Sequence, residues 1–572
     1  MAYDGVPAII ARMLDPQEDK IDQIIREFQE LVQWRGTTAS HWEEVSELID
    51  PNSRNTFQYG NFNWPGAKKT QQQIDSTGMM ALARFQAICD SLLTPRNSKW
   101  HMLGANDDYV MKDRQTRLWF ETATNLLFKY RYSPIANFAS QNSMVFRSNG
   151  AYGTGGMMID SYRSDVNPSR GVRYQAIPVG QLYFSENDQG EIDRVYRHLR
   201  YTARQITQRW KDVDFPESVL GKLRSNAQMP FDIIHCVKPR GDDFERGRLD
   251  ARGMRFSSTY VLMDGRHILQ EGGYHSFPFA ISRYTQSAGE LYGRSPAMDV
   301  LPALKTLNAQ KRTFLKQAHR AADPVLLTAD DGIVDFSLRP GALNKGGVTA
   351  EGRPLVHALQ TGNIQITKEA MAEEKSLIND AFLVTLFQIL TETPQMTATE
   401  VIERTNEKGI LLAPTMGRQQ SEYLGPLIDR ELDVLSHQGL LPPMPPRLRE
   451  AQGEYQVVYT SPLSRAMRAQ EAAGFMRTLE NVKELAAITQ DPSLLDPFNF
   501  DVAIPAIAEI QAVPESWMSS PEEIAQKRKN RAQQQKVQQQ IQAAPAQAAM
   551  MKAQAAQAKA GMPQQQQPGQ GP

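Results

Sequence analysis

The stretch "LVTLFQILTETPQMTATEVIERTNEKG", residues 383–409, reads as helix, break, helix. An apolar run from Leu383 to Leu390 meets a short polar segment carrying Pro394. Proline lacks an N–H and its ring clashes with the preceding turn, so the helix cannot run through it. "TATE", Thr397 to Glu400, then matches a capping box, with Thr397 as cap and Glu400 reaching back to the cap's N–H. The loop between the helices is therefore Thr391, Glu392, Thr393, Pro394, Gln395, Met396 and Thr397. Its single charge is Glu392, and it offers no cation to grip a phosphate. Alone, it would be an ordinary helix–helix turn.

What flanks it upstream gives it weight. "SPAMDVLPALKTLNAQKRTFLKQAHRAADP", 295–324, reads as a long helix capped by Ser295, with Pro296 in the first helical position. Pro302 either kinks its first turns or moves its true start later, and Asp323-Pro324 ends it. On a helical wheel Leu304, Leu307, Phe314, Leu315, Ala318, Ala321 and Ala322 share one apolar arc. Lys305, Arg312, Lys316, His319 and Arg320 fall on the opposite side, and no acidic residue lies between Val300 and Ala322. A second helix, about 366–390, leans acidic through Glu369, Glu373, Glu374 and Asp380. The basic stripe is either a solvated face or half of an ion-pair register with that acidic helix. Between the helices, 325–364 is short strands and turns, including "RPGALNKGG" (339–347), where Arg339 and Lys345 sit on a plain surface hairpin or a docking edge.

Downstream, a third helical tract, about 399–438, is interrupted at Gly409, Pro414, Gly417 and Gly425-Pro426 and should bend. "LPPMPPRLRE" is a stiff connector, helices follow over about 463–512, and Gln and Ala dominate from about 521. That last composition cannot bury a core, which predicts a mobile tail; its basic cluster is Lys527, Arg528, Lys529 and Arg531. At the other end, Ile21, Ile24, Ile25, Phe28, Leu31 and Val32 recur at helical spacing within 19–50. Helices are also expected near 71–93 and 108–130. From about 150 to 290 the pattern turns β-rich. "VRYQAIPVGQLYFSENDQGEIDRVYRHLRY" (172–201) predicts two strands around an Asp-Gln-Gly turn, and "TARQITQRW" (202–210) a short helix. "STYVLMDGRHILQEGG" (258–273) predicts a hairpin through Asp264-Gly265. The class expected is α+β, predominantly helical.

Bulk composition narrows the function. The 572 residues are 41% hydrophobic and 22% charged, with a formal net charge of -1, which fits folded domains and disfavours a wholly basic nucleic-acid binder. Two scattered cysteines, Cys89 and Cys236, suit buried thiols in a reducing compartment. There is no secretory pattern and no apolar run near the roughly 20 residues that span a bilayer, so a chain folded in a cytoplasm is expected. No P-loop, H-E-x-x-H or G-x-S-x-G occurs, and "YGTGGMMID" (152–160) is read as a tight turn leading into a strand rather than a phosphate site. No catalytic residue, metal ligand or cofactor is assigned.

The order of elements now resembles a known family. "GELYGRSPAMDVLPALKTLN" (289–308) and "TATEVIERTNEKGILLAP" (397–414) closely resemble the bacteriophage portal, or head-to-tail connector, proteins of short-tailed phages. "LLTPRNSKWHML", "YGTGG", "FPFAISRY" and "GRQQSEYLGPLIDRELDVLSHQGLLP" extend the resemblance over about 15–515. It implies a non-enzymatic ring of about twelve identical subunits at one capsid vertex. It also implies a channel for double-stranded DNA during packaging and ejection. Implied partners are the terminase motor, then a tail adaptor or head-completion protein, with major capsid, scaffold and internal core proteins around it. Membrane contact is not implied; the setting is the virion, after assembly in the host cytoplasm. The implied layout is wing 1–290, first stem helix 291–324, clip 325–364, second stem helix 365–390 and tunnel loop 391–398. A bent wing helix 399–440, crown helices 441–520 and the disordered tail 521–572 complete it. Charge, not the resemblance, assigns Lys305, Arg312, Lys316 and Arg320 to DNA or to neighbouring acidic helices, with pairing favoured. The rival readings are another virion structural protein, capsid or scaffold, and a nucleic-acid-processing enzyme with a divergent site.

Overall fold

The computed structural model describes residues 16–560 except 61–68, 71–72, 112, 163–169, 212, 329–336, 360–363, 386–414, 416, 452, 461, 490–494, 511–512, 514–516 and 520. Helices α1 (Pro16–Trp34), α2 (Gly36–Leu48) and α3 (Thr77–Leu93) lead to strand β1 (His101–Gly104). Helices α4 (Asp108–Met111), α5 (Arg114–Arg131) and α6 (Phe138–Tyr152) follow. Then come β2 (Thr154–Ser161), β3 (Val172–Ile177), β4 (Leu182–Glu186), β5 (Ile192–Thr202), α7 (Ala203–Arg209) and α8 (Glu217–Ser225). Next are β6 (Pro230–Pro239), β7 (Phe256–Leu262), β8 (His267–Tyr274), β9 (Phe279–Arg283), α9 (Pro296–Asp299) and α10 (Leu301–Ala322). The rest is β10 (Leu326–Thr328), β11 (Val356–Ala358), α11 (Ile364–Ala381), α12 (Gly425–His437), α13 (Pro446–Glu450) and β12 (Gln456–Tyr459). Helices α14 (Pro462–Thr489), α15 (Phe500–Ile510) and α16 (Pro521–Ala560) end the described chain. The α+β class holds.

Two compact units result, one of 1–103, 122–443 and 456–511, the other of 104–121, 444–455 and 512–572. In the larger, β4-β5-β6-β7-β8 form an antiparallel meander. Strand alternation sends Tyr196, Ile234, Cys236 and Val261 to one face, where α1 lays Ile21, Ile24 and Phe28 on them. The other face packs Leu199, Phe231, Ile233 and Leu262 with Ile206 and Trp210. The short helix α7 starts in a capping box: Thr202 N–H donates to Gln205 Oε1 at 2.9 Å and Gln205 N–H to Thr202 Oγ1 at 3.3 Å. The hairpin through Asp264-Gly265 forms as expected. Residues 172–201 hold three strands rather than the expected two. The additional strand, β3, pairs with β2 in a separate β3-β2-β9 sheet, a partner that no local pattern names.

The glycine-rich "YGTGG" is a turn into β2. Gly153 ends α6 at φ +71°, and a Cβ there would lie 2.3 Å from Gly293 O. The two glycines let the 289–295 segment lie directly on the α6–β2 corner. Tyr284 N–H donates to Gly153 O at 2.8 Å, and Gly293 N–H to Thr154 Oγ1 at 2.9 Å.

The core is locked by a buried ion pair. Arg131 Nε donates to Glu431 Oε1 at 2.9 Å, Nη2 donates to Glu431 Oε2, and Nη1 meets His101 Nε2 at 2.8 Å. Tyr174 donates its hydroxyl to the same carboxylate, and the guanidinium lies 4.5 Å from the Trp100 ring centre. The helical return before α12 is held by a second set of polar contacts. Arg283 grips Glu422 at 2.9 and 3.0 Å, Asn149 donates to Gln419 Oε1 at 3.2 Å, and Tyr423 donates to Asn142 Oδ1 at 2.8 Å. A π-helical turn, Gln419–Leu424, gives way to α12 at Gly425-Pro426, where the missing proline N–H falls in a first turn and costs little.

In the smaller unit, α16 corrects one expectation. Residues 521–560 form a continuous helix, not an irregular tail. Its described side chains between 522 and 537 are exposed, so the composition buries no core. Ala, Gln, Lys and Arg are nevertheless strong helix formers and need none. Cys89 and Cys236, both in the larger unit, are free and buried.

Arg131→Ala should cost about 3–5 kcal/mol, because it strands the buried Glu431. Arg131→Met with Glu431→Leu should recover most of that loss in denaturant unfolding; a double variant no better than the single contradicts the lock. Two histidines add a pH dependence. Burial, with Arg131 beside it, holds His101 well below the usual imidazole range; burial, with Arg197 and Arg209 nearby, does the same to His235. The unfolded chain protonates both near pH 6.5 and the folded chain does not, so their contribution is full above about 6.5 and falls as pH drops below it. The unfolding midpoint should decline between about pH 7.5 and 5.5, and a flat profile contradicts this.

Candidate functional site

The long basic helix begins with two starts. Ser295 Oγ accepts from Met298 N–H at 3.1 Å and donates to Ala151 O at 2.9 Å, capping the short α9. Val300 separates it from α10, whose first turn contains Pro302. The proline therefore moves the start of the long helix rather than kinking it.

Helix α10 buries Leu301, Leu304 and Leu307 at its base. Beyond them the expected apolar arc comes to the surface: Leu315, Ala321 and Ala322 are exposed. Helix α11 packs back along α10, with Met371 and Ile378 buried and Thr367 Oγ1 donating to Gln317 Oε1 at 3.3 Å. At the far end β10 and β11 pair antiparallel, Leu326 opposite Ala358. The excursion 301–381 is thus anchored at its base and thinly covered toward its tip.

The charges do not meet as the sequence suggested. Lys305 pairs with Glu44 at 3.0 Å, and both side chains are about half exposed. Arg312, Lys316 and Arg320 are exposed and make no ion pair among the described residues. Glu369 accepts from Gln365 at 3.2 Å, and Glu369, Glu373 and Asp380 are exposed while Glu374 is half-buried. The acidic helix instead ties Lys375 to Asp75 at 3.7 Å. Within one chain, the basic stripe and the acidic set are left unpaired with each other.

The second long helix is interrupted, with helix resuming at residues 384–385. It was expected to run to 390, but α11 stops at Ala381 and Leu383 takes φ +62°. Phe382 N–H still reaches Ile378 O at 3.2 Å, while Leu383 N–H closes on Asp380 O at 2.9 Å. Phe382 and Val384 are both buried, and Phe382 packs 6.1 Å from Phe85. A straight helix sets residues i and i+2 about 200° apart and could not bury both on one side. Tertiary burial overrides the local preference. Residues 386–390, the loop Thr391, Glu392, Thr393, Pro394, Gln395, Met396 and Thr397, and the bends at Gly409 and Pro414 lie outside the described residues.

The tip carries the feature that sequence reading missed. Asn344 brackets Ser337 through hydrogen bonds of 2.9 and 3.0 Å, and Ala342 N–H returns to Arg339 O at 3.0 Å. This self-bonded turn holds Leu338 and Leu343 out at 73% and 84% exposure, with Val348, Leu355 and Leu359 exposed nearby. Arg339 and Lys345 stand among them, also exposed. Large apolar side chains held in water by an ordered turn mark a contact surface. The signal was in the sequence as leucines set among Pro, Gly and Asn turn residues, where no core could take them.

Among the described residues no group of His, Cys, Asp and Glu could hold a metal, and no helix is long and apolar enough to cross a membrane. Leu338→Ser with Leu343→Ser should leave thermal stability of the monomer within about 0.5 kcal/mol. The same variant should self-associate more weakly by sedimentation; a large stability loss would mean that these leucines are core.

Comparison with known proteins identifies the family. The family described as "Bacteriophage head to tail connecting protein" matches residues 21–518. The "Portal protein" of Salmonella phage epsilon15 is 24% identical over 526 residues, 90% of this chain and 92% of that one. The "Probable portal protein" of Bordetella phage BPP-1 is 26% identical over 516 residues, 87% and 88% of the two chains. A solved chain from "Virion of native gene transfer agent (GTA) particle" is 12% identical, covering 71% of this chain and 85% of that one, at a TM-score of 0.32, too low to bear on the argument. With the match running over most of its length, the chain belongs to the bacteriophage head to tail connecting protein family.

Proposed function

We propose that this chain is the portal of a double-stranded DNA phage, working as one stave of a ring at a capsid vertex. Its task is structural, not catalytic. The observation that carries the reading is the 301–381 excursion: two long helices with a basic stripe unpaired beyond Lys305 on one, exposed carboxylates on the other, and exposed leucines at the tip. A single chain has no use for such an arrangement, whereas a ring supplies the missing neighbours.

In this reading the wing is 1–290 with 399–440, and the stem is 291–324 with 365–390. The clip is 325–364, the tunnel loop 391–398 and the crown 441–520. Packed helices stand about 10 Å apart, so about twelve around a circle place their axes on a diameter of roughly 38 Å. Removing one helix width of about 10 Å leaves an opening near 28 Å, enough for a duplex about two helix widths across. Many fewer subunits would exclude it.

A channel must hold DNA without trapping it. A dense cationic lining would bind through counterion release and stall movement. Glu373 and its acidic neighbours on adjacent stems would draw Arg312, Lys316 and Arg320 into pairs and leave the lumen near neutral. Lys305 is already engaged by Glu44. The clip, with Leu338, Leu343, Arg339 and Lys345, is where the terminase motor and then the tail adaptor would dock, while the wing meets capsid and scaffold proteins and the crown any internal core. Assembly would take place in the host cytoplasm.

Lys316→Glu and Glu373→Lys test the pairing. Each alone should impair ring assembly by native mass spectrometry, and the double variant should restore it. Normal rings from both single variants, with packaging lost only for Lys316→Glu, would assign the stripe to DNA instead.

A further inference from the structure

A second surface is unaccounted for, at the two edges of the five-stranded sheet. Helix α1 crosses that sheet from edge to edge. Lys20 and Asp22 pair with Glu271 on β8 and Arg266 in the β7–β8 turn, while Phe28 meets Tyr183 on β4 edge to face, ring centres 4.9 Å apart. The helix therefore delivers its last residue, Trp34, at the β4 edge. Trp34 is 65% exposed and stands between two hollows. One, of about 250 Å³, lies toward Thr38, His41 and Arg294. The other, of about 380 Å³, lies toward Glu30, Ser185 and Arg194. Glu30 is exposed and makes no ion pair among the described residues. The adjoining β4–β5 turn adds Asp188 and Glu191, both exposed.

The β6–β7 loop, 240–255, has the opposite character. Antiparallel strands place it at the same end of the sheet as the β4–β5 turn, but toward the β8 edge. It is tied to itself: Arg240 N–H donates to Arg255 O at 2.9 Å, Glu245 N–H donates to Arg252 O at 3.1 Å, and Arg248 bridges Glu245 and Asp250 at 2.8 Å each. This frame presents Leu249 wholly to solvent, at 102% of its reference exposure. Beside it Arg246 is exposed, and it too makes no ion pair among the described residues. An ordered loop that holds a leucine fully out has the form of a knob, and a surface tryptophan between hollows has the form of its socket.

We infer that the β6–β7 loop of one copy of this chain docks on the β4 edge of a second copy, with Leu249 against Trp34 and Arg246 facing Glu30. The inference rests on the ring proposed above. Rings close through head-to-tail contacts, in which one edge of a subunit meets the other edge of its neighbour. One patch lies at the β4 edge and the other toward the β8 side of the same sheet, and Arg246 is opposite in sign to Glu30. A leucine side chain is small beside either hollow, so the knob enters without displacing the sheet.

Trp34→Cys with Leu249→Cys, treated with a short bis-maleimide, tests the contact. The native thiols do not compete, since burial pushes both Cys89 and Cys236 up to about 12. The double variant should give a ladder of covalent multimers on a denaturing gel, and neither single variant should. Glu30→Arg and Arg246→Glu, both at exposed positions, should each raise the concentration for half-assembly about two- to fivefold, with the pair restoring it. Complete rings in negative stain, with no ladder and no effect of either charge reversal, overturn this contact and leave the ring standing. A wild-type chain that forms no ring overturns the ring first and this contact with it.

Discussion

The clasp between Arg131 and Glu431 is the constraint on which the larger unit depends. It joins two residues 300 positions apart, with His101 and Tyr174 completing the set. A carboxylate and a guanidinium this deeply buried are tolerated because they pair bidentately and take further hydrogen bonds from Tyr174 and to His101. The consequence is topological. The chain leaves the core beyond Leu307 and is buried in it again at Met371, Ile378, Phe382 and Val384, so the helices and strands between are tethered at both ends. The Arg283–Glu422 pair and the Asn149–Gln419 contact fasten the returning end a second time.

That closure frees the excursion to be something other than core. Helix α10 spends its burial at Leu301, Leu304 and Leu307 and then runs outward with little cover. Exposed leucines at 338 and 343 and unpaired charges at Arg312, Lys316 and Glu373 would be liabilities on a monomer. They become assets when identical copies stand side by side. Surface ion pairs contribute little stability each, but a repeated set fixes the register of neighbours. In the proposed ring, stability would reside in the clasped unit and function in the part it holds out.

Much of this was legible in the sequence wherever one segment decides its own structure. Ser295 capped a helix, Asp264-Gly265 turned a hairpin, and Pro302 shifted a helix start because caps, turns and prolines act within a few residues. Where distant residues decide, the sequence was silent. Nothing near Leu383 announces a break; Phe382 and Val384 impose it by both seeking the core. Nothing near Arg131 points to Glu431. The Gln- and Ala-rich end was read by its inability to bury a core, and the side chains of 522–537 are indeed exposed, but a helix needs only propensity. The Lys305 stripe was read as one charged face, and the structure divides it, because Glu44 takes its first member. The tip leucines were passed over because a hydrophobic residue in a turn carries no periodicity to notice.

A cryo-electron microscopy reconstruction of the purified assembly tests the central claim most directly. The account predicts a closed ring in which α10 and α11 surround a central opening near 28 Å, wide enough for a duplex about two helix widths across. A map that places α10 on the outer surface, or an assembly with no central opening, would contradict it.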